Sequence, residues 1–182
     1  MLAGTAGAAD YAAAMAAFDR GDFATALPQM RALAEGGHAP AQNTLGVMLD
    51  QGLGVPADIA QAVTWFRRAA AQGDAKAQAN LGVLYEQGRG VPQDATMAVH
   101  WYRLAAAQHR GVAENNLAAM LAAGRGTPRD LVEAYALFDR ASRHFPAEPD
   151  RKAAGANRDA VGKSLTPKQL AEARRRAQQD AR

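Results

Sequence analysis

Residues 77–101 read AQANLGVLYEQGRGVPQDATMAVHW. The apolar residues Ala77, Leu81 and Tyr85 are spaced to form one stripe on a helix. Gly88 can take the left-handed conformation that ends a helix, and Pro92 cannot extend one. Asp94 is then a natural N-cap, its carboxylate accepting the free N–H groups of a second helix that carries Ala98 and Tyr102. The stretch therefore predicts a helix (A), a Gly-x-Gly loop and a second helix (B).

The same pattern recurs on either side at a constant offset of 36 residues. Leu45, Leu81 and Leu117 correspond, and the segments starting at Ala41, Ala77 and Ala113 align without gaps. The loops Gly52-Leu53-Gly54, Gly88-Arg89-Gly90 and Gly124-Arg125-Gly126 follow, each leading to a Pro and then to Asp58, Asp94 or Asp130. Gln61 and Glu133 stand three residues after their aspartates, the reciprocal position of a capping box. Ala62, Ala98 and Ala134 and the pairs Trp65-Phe66, Trp101-Tyr102 and Leu137-Phe138 complete each unit. A fixed period of this length is the signature of a stacked helical array. Upstream, Asp22, Ala26 and Gly37 keep the offset but the turn shrinks to Gly21-Asp22, as befits a terminal unit. The expected organisation is a flexible N-terminus over 1–9, a solenoid over 10–144 and a C-terminal helical cap over 145–182. The solenoid divides into units 10–37, 38–74, 75–110 and 111–144. In the cap, Pro146 and Pro149 break the chain, a helix covers Arg151 to Val161, and another starts at Thr166-Pro167 with Gln169 completing a box.

Composition agrees. The chain has 182 residues and is 48% hydrophobic but only 6% aromatic, and 46 residues are Ala. Ala is the best helix former, while strand formers are scarce, so an all-β fold is excluded and an all-α fold expected. No apolar run is long enough for a transmembrane helix. Without Cys there are no disulfides, thiolate metal ligands or Cys nucleophile. Residues 1–142 hold 11 basic and 13 acidic side chains, and residues 143–182 hold 10 and 5. The basic tail reads as a solvated helix whose last-turn cations suit the helix dipole. Ala6-Gly7-Ala8 has the small-x-small form of a signal-peptidase site, so a periplasmic or secreted location is expected, with the cytoplasm as the alternative.

The set Ala77, Gln78, Leu81, Gly82, Tyr85, Gly88, Gly90, Val91, Asp94, Ala98 and Trp101 resembles the Sel-one-like repeat (SLR), of the tetratricopeptide-like class. The unit at 38–74 departs in Leu49, where the family has an aromatic; the unit at 111–144 departs in Ala118, Leu121 and Leu137. The resemblance implies a right-handed α-solenoid of antiparallel helix pairs whose A helices line a concave groove. It also implies an adaptor that binds a protein or peptide. Groove positions would be Asn43, Thr44, Val47, Lys76, Asn80, Val83, Asn115 and Asn116. Amides both donate and accept, which suits a peptide backbone or sugar hydroxyls. Lys76 is the one candidate to hold a carboxylate. The alternative is a carbohydrate- or cell-wall-binding module with weak hydrolase activity, for which paired carboxylates in one pocket would speak.

No catalytic constellation, metal site or cofactor is expected. The Gly-x-Gly loops lie between helices and recur at the repeat period, so they are not a dinucleotide cradle. His38, His100, His109 and His144 form no i, i+4 pair and no His-Glu-x-x-His. His38 and His109 fall at turns between units and are expected at the surface. Ser142 and Ser164 lack a nucleophile elbow. Trp65 and Trp101 are expected to pack between helices. The repeats are net acidic, which excludes a nucleic-acid groove.

Overall fold

The computed structural model describes the backbone of residues 3–179 and the side chains of residues 10–178. Ten α-helices follow one another, with no strand among the described residues: α1 Ala3–Asp19, α2 Phe23–Glu35, α3 Ala39–Gln51, α4 Ile59–Ala71, α5 Ala75–Gln87, α6 Ala95–Ala106, α7 Gly111–Ala123, α8 Leu131–His144, α9 Glu148–Gly162 and α10 Pro167–Gln179. Residues 3–9, expected to be frayed, continue α1, as their Ala content favours. The expectation for Met1 and Leu2 lies outside the described residues. The chain forms two compact units. One runs to Leu81 and includes Arg89–Val91; the other comprises Gly82–Gly88 and the chain from Pro92 onward.

In the first unit the caps form as the sequence predicts. Asp22 accepts from the Thr25 N–H at 3.2 Å and Asp58 from the Gln61 N–H at 2.9 Å. The Gln61 amide adds a 2.7 Å bond to the Asp58 carboxylate. These bonds hold both carboxyls below their usual range. Ala62, Phe66 and Ala69 are buried. The Phe66 ring lies over Gly46, where a Cβ would come within 2.7 Å of it. Trp65, expected in the packing, is half-buried, with the Arg68 guanidinium 4.5 Å above its ring.

The second unit repeats these devices. Asp94 caps α6 through the Thr96 and Met97 N–H groups, and Asp130 caps α8 through that of Glu133. Asp130→Ala is expected to cost about 1 kcal/mol, which urea denaturation would register as an earlier midpoint. Tyr102 is fully buried against Gly82, as Phe66 is against Gly46, while Trp101 is half-exposed. The second glycine of each loop also has a packing reason. A Cβ at Gly126 would lie 2.3 Å from the Ala95 carbonyl, and in the first unit one at Gly90 would lie 2.6 Å from Ile59. α9 and α10 both pack on α8, with Ala154, Ala173 and Ala177 buried. The Thr166–Gln169 box closes in both directions, at 3.0 and 3.3 Å. α9 starts at Glu148, earlier than expected, because Pro149 sits in its first turn, where a missing N–H costs no helical bond. No helix among the described residues is long and apolar enough to cross a membrane.

Candidate functional site

The expected groove positions divide into three groups. Asn43 and Thr44 are only 6% exposed and so offer little to a partner. The Thr44 hydroxyl donates to the Pro40 carbonyl at 3.0 Å and lies 3.5 Å from the Tyr11 hydroxyl of α1. The Asn43 carbonyl accepts from the Asn80 amide at 3.0 Å. These two polar groups serve the packing of helix on helix, and they leave the candidate surface. Val47, Asn80, Val83, Asn115 and Asn116 are half-exposed. The Asn115 amide donates to Asn116 at 3.4 Å. Lys76 is exposed.

In each unit the arginine of a loop reaches back to an acidic residue of an A helix. Arg89 pairs with Asp50, and Arg125 pairs with Glu86 at 2.9 Å. Such exposed pairs are worth up to about 1 kcal/mol each. Glu86 also accepts the Tyr102 hydroxyl at 2.8 Å. Burial and the Glu86 carboxylate push the Tyr102 phenol above its ordinary range, so it stays a neutral donor.

A second constellation was not legible in the sequence. His109, Glu114 and His144 each offer a ligand atom, all within 4.8 Å of one another. Glu114 is completely buried, with His144 Nδ1 2.7 and 2.9 Å from its two oxygens. The Arg140 guanidinium lies 3.8 Å away. Burial pushes the Glu114 carboxyl above its ordinary value, and His144, Arg140 and His109 pull against that without cancelling it. The His109 ring stands edge-on to His144 at 5.0 Å. A metal-ligating set shows in a sequence through close spacing, whereas here the fold joins residues 5 and 30 positions apart. The only signal available was positional: Glu114 and His109 stand where the preceding unit has Gln78 and Gly73. A cavity of about 440 Å³ opens beside His109, lined also by Arg103, Glu133, Leu137 and Arg140. Glu133 is the single carboxylate of that lining, so the paired acids of a hydrolase are not assembled there.

The Sel1 repeat model matches residues 39–74, 75–109 and 111–144. The chain belongs to the Sel1 repeat family. Its matches to solved structures include a protective antigen of uropathogenic Escherichia coli with an SLR fold, 40% identical with a TM-score of 0.76. They include also a Sel1 repeat protein from Oxalobacter formigenes, 31% identical with a TM-score of 0.76. Each match covers 85% of this chain, which spans 32% of the first protein and 58% of the second. A search of curated proteins finds no match. The fold is thus the all-α SLR solenoid of helix pairs at a 36-residue period. Sel1 repeat proteins are in general scaffolds for protein interaction.

Proposed function

We propose that this Sel1 repeat protein is a non-enzymatic scaffold that takes a protein or peptide on the A-helix faces of its units. The observation that carries the reading recurs in each unit: a half-exposed valine at the same repeat position, Val47 on α3 in the first and Val83 on α5 in the second, in A helices that also carry half-exposed amides. Small apolar groups flanked by amides suit an extended backbone, whose N–H and C=O groups the amides can satisfy in either sense. Lys76 adds a single cation that would favour an acidic ligand group.

The test is affinity capture from extracytoplasmic and cytoplasmic extracts with wild type and Val47→Arg/Val83→Arg, circular dichroism confirming that the variant is folded. Proteins held by the wild type are expected to be depleted at least about tenfold on the variant, the loss from burying two unpaired charges. Equal retention by a folded variant would mean that neither A-helix face binds the partner.

A further inference from the structure

We propose that His109, Glu114 and His144 form a binding site for a divalent transition-metal ion, with Zn²⁺ the best match to the donors. Two imidazoles and one carboxylate are a zinc donor set, with a fourth position left for water. Ligand atoms 2.0–2.2 Å from a tetrahedral ion lie about 3.3 Å apart. The pairs here run from 2.7 Å to at most 4.8 Å, so small side-chain rotations suffice.

Comparison between the repeats carries the argument further. Glu114 stands where Gln42 and Gln78 stand, and those two are also buried. Their amides donate to the carbonyls of Ala34 and Ala70, at 3.0 and 3.4 Å. Glu114 instead turns both carboxyl oxygens to His144 Nδ1, at 2.7 and 2.9 Å, and is the most buried of the three. His144 stands where Gln72 stands, and Gln72 donates to Gln42 at 2.8 Å. The neutral amide pair of one repeat is thus an imidazole–carboxylate pair in the other. His109 stands where Gly37 and Gly73 stand, both at φ 89°. It keeps their left-handed backbone at φ 56° and is the only non-glycine among the described residues with positive φ. That conformation disfavours a side chain. Three positions that are Gly or Gln elsewhere in the array have thus all become ligand residues, two of them at a local cost. An ion there would join the turn after α6, the first turn of α7 and the last turn of α8. Arg140 opposes it from 3.8 Å and sets the affinity below that of a closed structural site.

The test uses the untagged full chain, freed of metal with a chelator, titrated with ZnCl₂ by calorimetry and melted with and without the ion. Three variants put back the residue found elsewhere in the array: His109→Gly, Glu114→Gln and His144→Gln. The wild type is expected to bind one equivalent. At a hundredfold excess over Kd its Tm should rise by about 5–10 °C. Each variant that circular dichroism shows folded should lose more than about tenfold in affinity, with a zinc-free Tm no lower than that of the wild type. No binding heat and no Tm shift in the wild type would overturn the proposal. So would undiminished affinity in any folded variant, which would place the ion elsewhere, at His38 or His100.

Discussion

Gly126→Ala is expected to destabilise the protein by about 4 kcal/mol, combining a left-handed backbone closed to most side chains with an overlap that has nowhere to relax. Gly126 has φ 68°, and its new methyl would lie 2.3 Å from the carbonyl carbon and oxygen of Ala95 and 2.8 Å from the Thr96 nitrogen. These are backbone atoms at the capped start of α6, so no rotamer change can clear them. Gly155→Ala is the control. It lies within α9, and an added Cβ there meets nothing within 4 Å. Helix propensity predicts a gain of up to about 1 kcal/mol for that change. Urea denaturation of the two variants should separate them in opposite directions. A Gly126→Ala protein as stable as the wild type would contradict the close approach between loop and helix.

The second large effect belongs to Tyr102. Tyr102→Ala is expected to cost about 3–5 kcal/mol, because the ring is fully buried over Gly82 and its loss leaves a cavity. Tyr102→Phe keeps the ring and loses the hydroxyl's bonds to Glu86 and Asn116, so about 1 kcal/mol is expected. The two also differ in pH dependence. The phenol's folded pKa lies above its ordinary 10.0. Above pH 10 the unfolded chain therefore loses a proton that the folded chain keeps. The stability this group contributes is complete below pH 10 and falls as pH rises toward the folded value. Denaturation at pH 9 and pH 11 should show the wild-type advantage over Tyr102→Phe shrinking. An advantage that grows with pH would mean that the hydroxyl is not a buried donor.

The repeat, its helix pairs and its aspartate caps were legible because each rests on residues a few positions apart. Asp58 and Gln61, or Thr166 and Gln169, meet within one helical turn, and spacing alone predicts the contact. The second loop glycine was legible only as a turn residue. Its approach to Ala95 or Ile59 joins positions 31 apart, and only the stacking of one repeat on the next reveals it. The candidate face was half legible. Periodicity puts Thr44, Asn80 and Asn116 at one repeat position and Asn43 and Asn115 at the neighbouring one, yet Asn43 and Thr44 are buried. Spacing does not say which member of each aromatic pair is fully buried: Phe66 or Tyr102 fills the space that a helix-A glycine leaves open, and the tryptophan beside it is half-buried. His109, Glu114 and His144 share no local spacing, and only folding joins the end of one repeat to both ends of the next.

The most direct measurement of the scaffold reading is site-specific photocrosslinking of whatever partner the wild type captures. A photoreactive phenylalanine analogue would be placed at Val47 or Val83 on the A helices, and at the exposed B-helix positions Thr64 or His100. The account predicts partner adducts at 47 and 83 and none at 64 or 100. Adducts confined to 64 and 100 would put the binding surface on the opposite helices and contradict it.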